Sequence, residues 1–169
     1  MKIGIIAAME QELVLLVEQL ENKVEKIVLG NIYYTGRLGK HDVVLVQSGV
    51  GKVMSAMSVA VLVDHFGVDA LINTGSAGAV APGLKIGDVV VASKLAYHDV
   101  DLTAFGYDYG KCLCSHSTLK VTLLRRDFEK VLAQASIDSK IGLSLRVIAS
   151  LQVKTRLMLL RGIFQKSWQ

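Results

Sequence analysis

Proline is nearly absent, with one residue in 169, and aromatic side chains make up only 6% of the chain. Cysteine is confined to Cys112 and Cys114. Two cysteines one residue apart are too close for a framework disulfide, and a lone C-x-C offers too few ligands for zinc. Both read as incidental thiols. No apolar run approaches the roughly 18 residues that span a bilayer, so no membrane partner is expected. The opening MKIGIIAAMEQE reaches a carboxylate pair early and lacks the long apolar core of a signal peptide. A cytoplasmic protein is the expectation.

What is present is a globular composition. Hydrophobic residues make up 51% of the chain, far from the polar bias of a disordered one. A chain of this length matches one domain, which buries roughly 70% of its unfolded surface.

The net charge of +4 hides a split. Residues 1–110 carry 8 Lys and Arg against 12 Asp and Glu; residues 111–169 carry 11 against 3. Glycine divides too, with 13 in the first part and 2 in the second. A basic tail can mark a nucleic-acid partner. This one has no recognised nucleic-acid motif and few aromatics for stacking, so no nucleic acid is expected.

The chain is organised around Leu71–Asp88, LINTGSAGAVAPGLKIGD. A short apolar run leads into Asn73-Thr74-Gly75-Ser76-Ala77-Gly78, where small residues leave the backbone bare and its N–H groups free for a ligand. In α/β proteins such strand-to-loop passages lie where ligands bind, outside the carboxyl end of the sheet. A tight turn without a ligand is the plainer alternative.

Upstream, residues 2–7 read as a buried strand, and Met9, Leu13, Val17 and Leu20 give residues 8–20 a helical spacing. Glu10 and Glu12 fall in the first turns, where the helix dipole alone favours acidic residues. Three strands follow, residues 24–29, 32–38 and 42–47, joined by Gly-Asn and Gly-Lys signals suited to antiparallel hairpins. Ser48-Gly49-Val50-Gly51-Lys52 lacks the Walker spacing and is no phosphate loop of that kind. Residues 54–66 form a largely apolar helix closed by Gly67, with Met54 and Met57 as core filler. Residues 88–93 read as another buried strand. Tyr97-His98-Asp99-Val100-Asp101 reads as a polar strand end, because alternation puts His98 and Asp99 on opposite faces and so denies a metal its ligands. Residues 103–110 form a loop with three aromatics, either packed or serving as an apolar lid or oligomer contact.

Six segments in order resemble the bacterial 5′-methylthioadenosine/S-adenosylhomocysteine nucleosidases, of the purine nucleoside phosphorylase superfamily. They are MKIGIIAAMEQE, SGVGK at Ser48–Lys52, INTGSAG at Ile72–Gly78, KIGDVVV at Lys85–Val91, YHDVD at Tyr97–Asp101 and TAFGYDYG at Thr103–Gly110. The resemblance implies a single-domain α/β fold, a mixed twisted sheet flanked by helices, paired into a homodimer. It implies hydrolysis of an N-glycosidic bond, releasing adenine and a 5-thio-ribose, with a small-molecule thionucleoside as substrate and no metal or organic cofactor. Glu12 matches the family's base. Ser76, Ala77 and Gly78 match the nucleoside pocket, Val50 a ribose-side wall, and Phe105 a residue that covers the thioalkyl group in the neighbouring subunit.

The resemblance covers residues 1–110 as a family-like core. Residues 111–169 form an atypical basic segment, in which 128–143 again look like a family helix and strand start. The family's leaving-group aspartate, from a late Ser-Asp pair, and its ribose-holding Val-Glu-Met-Glu motif have no counterpart; the last acidic residue is Asp138. The expectation is a nucleosidase fold with C-terminal elements missing, residues 111–127 and 144–169 being translated out of the ancestral frame. A purine nucleoside phosphorylase would need an Arg-rich phosphate site, and residues 1–110 hold only Arg37. Two further readings stay open on the residues alone, a non-catalytic nucleoside-binding remnant and a basic polyanion-binding protein.

Overall fold

A computed structural model of the chain describes residues 1–97, 99–110, 119–120, 130, 132–134, 136–137 and 139–146. They group into two compact units, one of them Met1–Ser76 and the other within Ala77–Ala149. The expectations for His98, Cys112 and Cys114, and for nearly all of 111–129 and 147–169, fall outside the described residues.

The first unit is a five-stranded mixed sheet. Its strands are β1 (Lys2–Ala7), β2 (Glu21–Val28), β3 (Asn31–Leu38), β4 (His41–Gln47) and β5 (Ala70–Asn73), in the order β2-β3-β4-β1-β5. The β2–β3 and β3–β4 pairs are antiparallel hairpins, as their turn signals require. The first turn falls one residue earlier than expected, at Leu29-Gly30, with φ of 49° and 81°. Gly30 supplies the second left-handed position of the tight turn and Leu29 takes the first, which releases Asn31 to open β3. Strand β1 lies between β4 and β5 and is parallel to both. Parallel neighbours need crossovers, and α1 (Glu10–Glu18) and α2 (Lys52–Asp64) lie on the chain that makes them.

Strand alternation divides the core cleanly between the two helices. Ile3, Ile5, Val43 and Leu45 point to one face and pack with Leu13 and Leu16 of α1. Ile6, Val44 and Val46 point to the other and pack with Val61, Leu62 and Phe66. Burying a side chain such as Leu16 or Leu62 stabilises the fold by roughly 1.5–3 kcal/mol. Gly4 lets α2 approach the sheet closely: a Cβ there would lie 2.9 Å from Leu71 and 3.2 Å from Leu62 and Val68. The C-terminal end of α2 is tied back to β1, because Lys2 Nζ donates to the Phe66 carbonyl at 2.7 Å. A cation at that end also complements the helix dipole.

Met54 and Met57 are not core filler. They are 37% and 40% exposed, because the face of α2 that meets the sheet runs through Ser58, Val61 and Leu62. Apolar all round, this helix leaves its inward face unreadable from periodicity.

The second unit holds a three-stranded sheet, in the order β7-β6-β8: β6 (Val89–Tyr97), β7 (Leu119–Lys120) and β8 (Ser139–Arg146). Strand β6 is longer than the expected 88–93, and Val89–Ala92 are half-buried where full burial was expected. It pairs parallel with β8 and antiparallel with β7. Lys140 Nζ donates to Asp88 at 2.6 Å and to the Gly83 carbonyl at 2.9 Å, clipping the loop before β6 to β8. The lysine's hydrogen bond, helped by the Lys85 N–H, holds the Asp88 carboxyl below its ordinary range.

The aromatic loop is closed by hydrogen bonds from Tyr97 N–H to the Gly110 carbonyl and from Gly110 N–H to the Val100 carbonyl. Asp101 accepts from the Thr103 hydroxyl and N–H, which opens a short 3-10 turn at Thr103–Phe105 and lowers the Asp101 pKa. Plain loop packing does not hold within this unit, since Phe105 is 75% exposed and Tyr107 and Tyr109 are exposed too. No helix among the described residues is long and apolar enough to cross a membrane.

Candidate active site

Parallel strands carry their loops to the same end of the sheet, so β4, β1 and β5 deliver three passages together. The pairing runs on beyond the strands: Ser48 N–H donates to the Ala7 carbonyl and Thr74 N–H to that of Ile6. One residue past Thr74 comes Gly75, then Ser76. One residue past Ala7 comes the short turn Ala8-Met9 that enters α1.

Glu12 sits at the third position of α1. Helical side chains tilt toward the N-terminus, which sends this one back over the entry turn. Its Oε2 accepts from the Ala8 and Met9 N–H groups, both at 3.1 Å. Its Oε1 accepts from the Ser76 N–H at 2.6 Å and the Ser76 hydroxyl at 2.8 Å. A carboxylate has about four lone-pair sites, and here four donors fill them. The residue is only 8% exposed. Withdrawing a carboxylate from water is costly without partners, and these charge-assisted bonds, with the helix N-terminus, supply them.

This separates the two glutamates that sequence alone treats alike. Glu10 is exposed, and the helix dipole accounts for it. Glu12 is buried and its carboxylate is joined to a loop 64 residues away in sequence. The backbone of that loop is not bare for a ligand at Ser76: its N–H is occupied by the chain's own carboxylate.

Of the expected site residues, Glu12 and Ser76 are brought into direct contact. Val50 is more than half exposed on the loop after β4. Its neighbour Ser48 is buried, with its hydroxyl donating to the Gly49 carbonyl at 3.0 Å and that of Ala7 at 3.4 Å. Ala77 and Gly78 open the second unit and are exposed, as is Phe105. Sequence reasoning missed three contributors. Two are the N–H groups of Ala8 and Met9, which carry no side-chain signal. The third is Gly75, whose place in the Thr-Gly-Ser run was the available hint. Among the described residues no group of His, Cys, Asp and Glu could hold a metal ion. A shallow groove of about 170 Å³ against α1, lined by Leu13, Val17, Glu18 and Tyr34 among others, includes neither Glu12 nor Ser76.

The chain that carries this clamped carboxylate is matched by a family model. The Phosphorylase superfamily model aligns with residues 2–151, which sets the class of protein. Solved structures narrow it. The S-adenosylhomocysteine nucleosidase of Streptococcus pyogenes, in complex with 5-methylthiotubericidin, is 50% identical with a TM-score of 0.84, over 98% of this chain and 70% of that one. The 5′-methylthioadenosine/S-adenosylhomocysteine nucleosidase of S. pneumoniae, with a transition-state inhibitor, is 51% identical with a TM-score of 0.83, over 98% and 72%. That of Colwellia psychrerythraea, in complex with adenine, is 39% identical with a TM-score of 0.84, over 98% and 69%. The chain belongs to the 5′-methylthioadenosine/S-adenosylhomocysteine nucleosidase family.

Proposed function

We propose that this chain hydrolyses the N-glycosidic bond of 5′-methylthioadenosine and S-adenosylhomocysteine, with Glu12 as the general base. The observation that carries the reading is the Glu12 clamp at the end of the sheet. Breaking the bond between purine and ribose builds positive charge on the sugar, as in other glycoside hydrolyses. A water oxygen bonds to the anomeric carbon, its proton passes to the Glu12 carboxylate, and the bonding pair leaves with adenine. A positioned base contributes roughly 10²–10⁴-fold. Three of the four donors on Glu12 are fixed backbone groups, and the Ser76 hydroxyl is the one that can rotate away to admit the water.

Val50 and Ser76 line the nucleoside site in this reading, and Phe105 covers the thioalkyl group of a second copy's substrate. The protein works as a cytoplasmic homodimer. What supports the dimer is the outward face of α2, where Val53, Met57 and Val63 are exposed. The basic bias of 111–127 and 144–169 reflects a change of reading frame, which aligning the gene's other frames to the family tests.

The deciding experiment is adenine release from 5′-methylthioadenosine by the 169-residue chain beside Glu12→Gln. Phosphate-independent release that vanishes in the variant is expected. Release that requires phosphate would make the chain a phosphorylase. Binding without release would make it a nucleoside-binding remnant.

A further inference from the structure

We infer that Gly75 is a positioning residue for Glu12: only a residue without a side chain at this point leaves room for the carboxylate to reach both of its loops. Its catalytic meaning rests on the reading of Glu12 as the base, while the positioning itself rests on distances alone. A Cβ on Gly75 would lie 2.9 Å from Glu12 Oε1, 3.0 Å from Cδ and 3.0 Å from Oε2. Near-equal distances to all three atoms put that carbon over the flat face of the carboxylate rather than at its edge. Ordinary van der Waals contact begins at 3.4 Å, so the group would have to withdraw by several tenths of an ångström.

The donors around it set what that withdrawal costs. In its own plane the carboxylate is held by Ser76 on one oxygen and by Ala8 and Met9 on the other. The loop cannot yield easily either, because Thr74 N–H, one residue upstream, is bonded to the Ile6 carbonyl at 3.0 Å. Backbone freedom is not the reason for glycine here, since Gly75 is not among the positive-φ residues. The other glycine of the run makes the contrast: a Cβ on Gly78 would meet nothing within 4 Å. A side chain at 75 therefore shifts the carboxylate against the donors that hold it, weakening its bonds to Ser76 and moving the base from where the loops place it.

The test compares the full chain with Gly75→Ala, Glu12→Asp and the double variant. The Ser76 amide is followed by NMR and hydrogen exchange, which need no turnover. Gly75→Ala should lower Ser76 protection by about tenfold or more, the signature of a lost local hydrogen bond. Aspartate withdraws the carboxylate by roughly one bond length, about 1.5 Å, which exceeds the overlap. In that background Gly75→Ala should change Ser76 protection by less than about twofold, the non-additivity of two residues acting through one contact. Equal losses in both backgrounds, or unchanged protection in Gly75→Ala, would overturn the inference. Should Gly75→Ala not fold, recovery of folding in the double variant supports it, and failure of both overturns it. With 5′-methylthioadenosine, Gly75→Ala should lower kcat about tenfold at unchanged KM, as expected for a misplaced reacting group. A wild-type chain that releases no adenine counts against the nucleosidase reading and leaves the Ser76 amide to decide the positioning.

Discussion

Helix α1 turns Glu10, Gln11 and Glu18 to water, with Val14 among them; α2 turns Val53, Met57 and Val63 outward with a single carboxylate, Asp64. Both pack on the same sheet, each against one parity of the same strands. The difference is that α1 is finished on its outer side and buries its charge inward, on a loop that satisfies it. The outer face of α2 is left apolar and exposed. In the proposed reading one helix carries the chemistry and the other the association, and the sheet lies between them.

The comparison breaks first at Glu12. An amide cannot accept at both ends, so Glu12→Gln sets donors against donors at either Ser76 or Ala8 and Met9, whichever way it turns. Denaturant unfolding should show a loss of about 1–3 kcal/mol, the penalty of buried groups left without partners. Glu10→Gln, two residues away and exposed, should stay within about 0.5 kcal/mol of the parent. On α2 the substitution to make is Met57→Asp. It should shift the mass measured by light scattering from dimer to monomer while leaving unfolding within about 0.5 kcal/mol. Val14→Asp, the matching change on α1, should leave the mass alone.

The smallest effect sharpens the comparison by touching neither helix. His41 opens β4, and burial lowers its pKa below the ordinary 6.5. A depressed histidine favours the neutral form in the folded state, so its contribution is present above the unfolded pKa and is lost as pH falls through the folded one. Thermal unfolding between pH 7.5 and 5 should therefore show a shallow loss of stability on acidification, which His41→Gln flattens.

Much of the sheet was legible in the residues. Short strand-like runs and the Gly-Lys turn gave β1, β3 and β4 nearly their observed bounds. What failed to read was whatever depends on a neighbour distant in sequence. Met54 and Met57 look like core because α2 has no polar side to mark its outward face. Glu12 looks like a dipole-favoured surface residue, and only the resemblance singled it out, because its partner Ser76 is 64 residues away. Gly75 looks like turn chemistry, although its φ is unexceptional and the crowding comes from a helix at the other end of the unit's sequence.

Strand β1 is made before the other strands of its sheet and is completed last among them. Its pairing with β4 needs residues 42–47, and its pairing with β5 needs residues 70–73. Until those emerge, Ile3, Ile5 and Ile6 are an apolar segment with neither edge satisfied, the kind of nascent strand that pairs wrongly and attracts chaperones. The carboxylate clamp closes later still, when Ser76 arrives. An intact Glu12–Ser76 contact thus records that this half of the molecule has finished folding.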